Sequence, residues 1–321
     1  MSSAAPQPVV IVAGPTASGK SALALAIAEA IGGTIINADS MQVYRDLAVL
    51  TARPGATELA RAPHRLYGVV DAAEACSAGR WRDLALAEIA VAREAGRVPV
   101  LTGGSGLYLR ALLDGLAPVP PVPAALRAEA RALHARLGGE AFRRALAARD
   151  PEAAQRLPAG DRQRLIRAYE VVAATGRPLA DWRRGRGRAA GPPAGAVLLL
   201  PPRAELYAAC DARFLQMMDR GALHEVQALL ARGLDPELPA MRAVGVPELA
   251  ALLRGRVSRE AAVAAAQQAT RRYAKRQYTW FRHQMPENGA LQKLAINEQF
   301  SESLLAKILP FIRHALLTIK T

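Results

Sequence analysis

Cysteine, lysine and aromatic residues are scarce in this chain of 321 residues, and long apolar runs are absent. The two cysteines, Cys76 and Cys210, lie far apart and form no C-x-x-C pair. That excludes a disulfide framework and a cysteine-based zinc module. The five histidines form no H-x-x-x-H pair. No basic region precedes the first apolar stretch, and Val9–Ala13 is far too short for a signal or membrane-spanning segment. A cytoplasmic protein with no membrane association is therefore expected. Aromatics are only 5%, and aliphatic residues and alanine, which favours helix, make up the balance. With 51% hydrophobic and 22% charged residues a sizeable core is available, so disorder of the whole chain is excluded.

Lys+Arg total 42 against 28 Asp+Glu, for a net charge of +14. The excess is uneven. Residues 1–117 hold 10 basic and 10 acidic side chains, residues 118–197 hold 15 and 7, and residues 198–321 hold 17 and 11. A neutral first third before a basic remainder points to a polyanion, nucleic acid above all. Compositional drift is the alternative, because only 5 of the 42 basic residues are lysine.

The apolar pattern predicts a strand at Val9–Ala13, a helix at Ser21–Ile31 and a strand at Thr34–Asn37. A helix at Trp81–Ala95 and a strand at Val98–Thr102 follow. This alternation implies an α/β fold with a parallel sheet covered on both faces. Ala117–Pro123 reads as an extended proline-rich linker, followed by helices at 124–137, 139–148 and 162–175. Arg183–Gly195 reads as a mobile loop and Ala196–Leu200 as a returning buried strand, after which Arg203 onward reads as helical to the end, with breaks near Pro236–Pro239 and Pro286–Gly289. The expected organisation is a core of residues 1–117 and 198–321 carrying a helical, basic insertion domain at 118–197. No internal repeat is present.

Gly14-Pro15-Thr16-Ala17-Ser18-Gly19-Lys20-Ser21 matches G-x-x-x-x-G-K-[ST] between a predicted strand and a predicted helix, the context the P-loop motif needs. Its glycines let backbone N–H groups surround a phosphate, the helix N-terminus adds partial positive charge, and Lys20 adds a full one. The Ser21 hydroxyl can ligate Mg²⁺. The motif indicates binding of a phosphate chain, without specifying ATP hydrolysis. No N-K-x-D for guanine is present, and no acidic Mg²⁺ ligand stands out after a later buried strand.

Asp39 follows the second predicted strand and so faces the crevice beyond the strand ends. There it can ligate a metal or act as general base; the bland alternative is a helix cap. Gly103-Gly104-Ser105-Gly106 enters the same crevice, where it can contact a ligand or merely make a tight turn. Gln163 and Arg167 stand at i, i+4 on one helical face, and Thr270–Arg282 mixes Arg and Lys with Tyr273, Tyr278, Trp280 and Phe281. Such residues suit RNA phosphates, base edges and unstacked bases. A helix with an apolar buried face and a solvated basic face would show the same composition.

Together these pieces resemble the tRNA dimethylallyltransferases (tRNA isopentenyltransferases). The matching segments, in the family's order, are GPTASGKS at 14–21, INADSMQVYRDLAVLTARP at 36–54, APHRLYG at 62–68 and LTGGSGLYLRALLDGL at 101–116. DRQRLIRAYEV at 161–171, MRAVGVPEL at 241–249 and AKRQYTWFR at 274–282 continue the match. The resemblance implies a P-loop NTPase-like sheet core and transfer of a dimethylallyl group from dimethylallyl diphosphate to the N6 amine of the adenosine 3′ of a tRNA anticodon. It implies that Gly14, Pro15, Thr16, Ala17, Ser18, Gly19, Lys20 and Ser21 cradle the diphosphate, with Mg²⁺ at Ser21. Asp39 would be the general base, and Lys20 and Ser105 further members of the catalytic centre. It implies tRNA anticodon stem-loop contact at Asp39, Ser40, Met41, Gln42, Ser105 and Arg127. Gln163, Arg164, Leu165, Ile166 and Arg167 would contribute from the insertion. Arg242, Ala243, Val244, Gly245, Val246 and Pro247, with Lys275, Arg276, Gln277, Tyr278, Thr279, Trp280, Phe281 and Arg282, would complete the tRNA surface. A monomer is the expected state.

Two positions depart from the family pattern. Ala209 stands where relatives carry an arginine that approaches the diphosphate; Arg213, one turn on along the same helical face, is the expected replacement. Val246 stands where the family has tyrosine. The competing readings are a P-loop kinase of a small metabolite, which leaves the charge distribution unexplained, and an RNA-binding ATPase.

Overall fold

The computed structural model describes residues 8–184, 191–286 and 291–318. Its contacts divide the chain into two compact units, one of Met1–Asp114 with Ala190–Thr321 and one of Gly115–Ala189.

The first unit runs β1 (Val9–Ala13), α1 (Lys20–Ile31), β2 (Gly33–Asn37), α2 (Ala56–Arg61), β3 (His64–Arg65), α3 (Ala78–Glu94), β4 (Val98–Gly103) and α4 (Gly106–Asp114). The second unit holds α5 (Ala124–Ala147), α6 (Pro151–Arg156), α7 (Arg162–Thr175) and α8 (Leu179–Arg184). The first unit resumes with β5 (Ala194–Leu199), α9 (Arg203–Asp219), α10 (Ala222–Ala231), α11 (Val246–Leu253), α12 (Arg259–His283), β6 (Leu291–Ile296) and α13 (Glu302–Thr318).

The six strands form one parallel sheet in the order β3-β2-β4-β1-β5-β6. Both faces are covered, so central strands such as VVIVA of β1 are buried at every residue. Successive side chains alternate between two cores. Ile11, Ile36, Leu101 and Leu198 pack with Trp81, Leu109, Phe214 and Phe281. Val10, Val12, Ile35, Val100 and Val197 pack with Leu23 and Ile27 of α1 and with Leu304, Ile308 and Ile312 of α13. The parallel strands put every strand's carboxyl end on one edge, so the segments after β1, β2 and β4 emerge together at the order reversal around β1.

The second unit has its own core of Ala130, Phe142, Leu146, Leu165 and Tyr169. Its α5 bends at Gly138, whose φ of 71 is cheap for glycine, which matches the two helices predicted around that point. Asp150 and Asp161 cap α6 and α7 by accepting the N–H of Ala153 and Arg164. Each such cap is worth about 1 kcal/mol.

Two expectations need correction. The chain after Arg203 is not helical to the end: β6 pairs with β5 over Ala194–Leu199 and adds a sheet edge. The segment expected as a loop from Arg183 to Gly195 is shorter, because α8 continues through Arg184 and β5 begins at Ala194; its residues 185–190 lie outside the described residues. The short elements α2 and β3 interrupt the predicted alternation, which makes Val98–Gly103 the fourth strand.

Candidate active site

Three loops at the carboxyl ends of the strands build the site. The first joins β1 to α1. Ala17 and Gly19 hold positive φ values of 65 and 86, curling the backbone around the loop's interior. For Ala17 this is a strained conformation. Gly19, the residue before α1, offers that helix no side-chain cap, whereas Ser77 and Ser258 cap α3 and α12. The first-turn N–H groups of α1 thus face the loop without a capping oxygen, an arrangement suited to an anion. Among the described residues the fully buried Ser18 hydroxyl has no hydrogen-bond partner. Lys20 is buried and donates to Pro15 O at 3.3 Å. Burial lowers its pKa to about 8, against the opposing pull of the Asp39 carboxylate and with a further push down from Arg213.

The second loop follows β2. Asn37 is its brace: its side-chain oxygen accepts Asp39 N–H at 2.8 Å, and its amide donates to Asp39 O at 3.0 Å and Leu66 O at 3.1 Å. Trp81, fully buried and stacked on Tyr108 at 4.5 Å, donates its indole N–H to Asn37 O at 2.8 Å. Asp39 Oδ1 accepts Met41 N–H at 2.9 Å, a local turn of the kind aspartate favours rather than a helix cap. Its other oxygen accepts no hydrogen bond among the described residues and is available to a ligand. Burial raises the pKa of Tyr67, Tyr108 and Tyr273, and the Asp39 carboxylate near each adds to the rise. Farther along, Glu225 accepts the N–H groups of Ala48, Val49 and Leu50 at 2.6, 2.7 and 2.9 Å, fixing the loop's return.

The third loop follows β4. A Cβ on Gly103 would lie 2.1 Å from the Ala38 carbonyl carbon, so glycine permits the two loops to touch. Ser105 Oγ accepts Ser40 N–H at 2.8 Å and donates to Ser40 Oγ at 3.0 Å. Tyr273 of α12 lies near Asp39 and Ser105: burial raises its pKa most, the Asp39 carboxylate adds to the rise, and Ser105 opposes it.

Arg213 of α9 donates to the Thr16 hydroxyl, which brings it to the phosphate loop. Burial lowers its pKa, while the Asp39 carboxylate opposes that shift. Lys20, Arg213 and Asp39 therefore act on one another electrostatically in a single crevice. Ala209 is on the same helix and brings no polar group.

The residues expected to meet tRNA divide by burial. Arg127, Gln163, Arg164, Arg167, Arg242, Pro247, Lys275, Arg276, Thr279 and Arg282 are exposed. Ser40, Met41, Gln42, Val244, Tyr278 and Trp280 are half-buried. Gln42 spends its amide on Thr51 O and Ala52 O at 2.9 and 3.1 Å. Leu165, Ile166, Ala243, Gly245, Val246, Gln277 and Phe281 are buried and pack within the protein. For Gln277 the reason is specific, since both ends of its amide bond to the loops. Asn37, Trp81 and Glu225 were given no role from the sequence, and Tyr273 was named there only as a ring suited to RNA. Tyr273 and Asn37 both lay in segments already singled out; Asn37, two residues before Asp39, was the readable sign of a brace.

A family model described as IPP transferase matches residues 42–284. The tRNA dimethylallyltransferase of Rhodospirillum centenum is 63% identical over 284 residues, covering 88% of this chain and 90% of that protein. The chain belongs to the IPP transferase family. The tRNA dimethylallyltransferase of Paramagnetospirillum magneticum is 53% identical over 318 residues, 97% of this chain and 98% of its own length. The full-length tRNA isopentenylpyrophosphate transferase of Bacillus halodurans superposes with a TM-score of 0.69 at 29% identity, covering 98% of each chain. As an IPP transferase family member, the chain has the P-loop-like parallel sheet that its motifs implied. Among the described residues no helix is long and apolar enough to cross a membrane.

Proposed function

We propose that this chain is a tRNA dimethylallyltransferase. It moves the dimethylallyl group of dimethylallyl diphosphate to the N6 amine of the adenosine 3′ of the anticodon and releases diphosphate. The observation that carries the reading is the joint crevice: Lys20 and Arg213 at an uncapped phosphate loop, within electrostatic reach of Asp39.

The chemistry follows from charge. The allylic C–O bond breaks as the N–C bond forms, and negative charge grows on the leaving diphosphate. Lys20, Arg213 and the loop N–H groups stabilise that charge. Ser18 supplies a further donor, its hydroxyl having no partner among the described residues. The N6 amine is a weak nucleophile, because its lone pair is delocalised into the ring. Asp39 accepts its proton through the oxygen that is not bonded to Met41 N–H. The adenosine must leave the anticodon stack to reach this carboxylate, at a cost of a few kcal/mol. Exposed basic residues on α7 and α12 offset that cost by holding the RNA backbone.

Among the described residues no group of three or more His, Cys, Asp or Glu could hold a metal unaided. The Ser21 hydroxyl is exposed at the first turn of α1. A lone hard oxygen beside a diphosphate suits Mg²⁺, which binds largely through substrate phosphates and water. Ser21 would hold the ion with the donor's phosphates, and the ion would neutralise leaving-group charge. Family membership disfavours the kinase and ATPase readings.

The test is one incubation of the protein with Mg²⁺, unmodified tRNA and dimethylallyl diphosphate, followed by mass analysis of the nucleosides. The expected result is a gain of one C5H8 unit on adenosine. ATP consumption with unmodified adenosine would overturn the reading.

A further inference from the structure

We propose that Gln277 of α12 is a positioning residue that holds the donor cradle and the acceptor loop in register. The inference rests on the prenyl-transfer reading and deepens it. Gln277 is only 5% exposed. Its Oε1 accepts the N–H of Thr16 at 2.8 Å, and its Nε2 donates to Gly104 O at 2.9 Å. One buried amide thus spans the loop after β1 and the loop after β4.

Both ends of the span are anchored to chemistry. On the donor side, Thr16 is gripped at each of its polar groups: its N–H by Gln277, its hydroxyl by Arg213, and its carbonyl by the Cys210 thiol at 3.9 Å. On the acceptor side, Gly104 leads into Ser105, whose hydroxyl takes Ser40 N–H beside Asp39. A short relay of hydrogen bonds therefore runs from the diphosphate cradle through Gln277 to the backbone that carries the base. Gly104 has no room to drift toward the helix, because a Cβ there would sit 2.1 Å from Gln277 Nε2.

The residue type is required by the two partners. The first offers an N–H and needs an acceptor, while the second offers a carbonyl and needs a donor. A carboxylate of the same length lacks the donor, an ammonium lacks the acceptor, and asparagine is one methylene too short. The phosphate-loop N–H taken by Gln277 is also withdrawn from the diphosphate, so the amide shapes which loop donors face the ligand. Displacing reacting groups by about 1 Å costs about 100-fold in rate, which is the scale expected if this register is lost.

The experiment compares wild type with Gln277→Met, Gln277→Ala, Gly104→Ala and the double variant Gly104→Ala/Gln277→Ala, all as full chains. It reads single-turnover rate at saturation, KM for dimethylallyl diphosphate and for tRNA, and Tm. Gln277→Met keeps the volume and removes both hydrogen bonds. It should cut the saturated rate about 100-fold with both KM values near wild type, while Tm falls because the buried Thr16 N–H and Gly104 O lose their partner. Gly104→Ala pushes the same amide from the other side. The double variant should therefore be no slower than Gln277→Ala alone, since the two changes act at one contact. A Gln277→Met rate equal to wild type, or a loss only in Tm, would overturn the proposal. Multiplying losses in the Gly104 and Gln277 variants would do the same. A wild-type chain that transfers no prenyl group would overturn the functional reading itself and this inference with it.

Discussion

Helices α7 and α12 each carry a glutamine among arginines, and they put it to opposite uses. On α7, Gln163, Arg164 and Arg167 are exposed while Leu165, Ala168 and Val172 face the core of their unit. On α12, Arg272, Lys275, Arg276, Thr279 and Arg282 are exposed, and Gln277 is buried with Ala274 and Phe281. The difference is one of phase. Gln277 follows Ala274 by three residues and precedes Phe281 by four, so it lies on the apolar stripe. Gln163 lies on the side away from the Leu165–Ala168–Val172 row. A polar residue on an apolar stripe is there because something buried needs it, and here two loop backbones do.

The comparison assigns chemistry to the loops that α9 and α12 brace, and RNA affinity to the exposed faces. Its largest expected consequence is at Asp39. Asp39→Ala should lower turnover by about 10²–10⁴-fold with tRNA affinity little changed, as read by single-turnover assay and RNA titration. Unchanged turnover would remove the base from the scheme. Arg213→Ala should lower kcat/KM for the prenyl donor by about 10²–10³-fold, the usual loss for one donor to a developing anion. A variant indistinguishable from wild type would leave the missing charge at Ala209 without a replacement.

The next effect concerns pH. Lys20 has a pKa lowered to about 8 by burial. Its protonated form is the one that attracts the diphosphate, so affinity is full below that pH and falls above it, by up to about tenfold per unit. Binding near pH 8.5 should take up a proton, measurable by calorimetry in buffers of different ionisation enthalpy. Lys20→Met should abolish that uptake. The smallest effect sharpens the contrast directly. Replacing Gln163, Arg164 and Arg167 by alanine should weaken tRNA binding and reduce its salt slope by about 2, one for each arginine lost. Donor KM and the rate at saturating tRNA should be unchanged. A slower saturated rate in this triple variant would break the division of labour between the two helices.

Much of the sheet was legible because buried parallel strands read as continuous apolar runs bounded by glycine. Val9–Ala13, Val98–Thr102 and the returning strand near Ala196–Leu200 all have that form. Strand β6 was not legible: in LQKLAI, leucine, glutamine, lysine and alanine are good helix formers, and pairing with β5 overrides them. The two-residue β3 has too little sequence to signal anything and depends on its place beside Ile35 and Ile36. At the site, the phosphate loop and Asp39 stood out because their residue types and positions suit the chemistry of phosphate and proton, and the structure brings Lys20, Arg213 and Asp39 within electrostatic reach of one another. Gln277 was read as an RNA contact because composition does not report which side of a helix is buried. Arg213 was reachable from the sequence through helical periodicity, one turn beyond Ala209, and its bond to Thr16 puts it at the phosphate loop.

The central claim is that the donor cradle and the acceptor base face one crevice. The most direct measurement is a crystal structure of this chain with diphosphate and an anticodon stem-loop. The expected result is diphosphate inside residues 14–21 against Lys20 and Arg213, with the flipped adenine N6 at hydrogen-bond distance from Asp39. Diphosphate bound away from that loop, or an adenine whose N6 faces another residue while Asp39 stays bonded only to Met41 N–H, would contradict it.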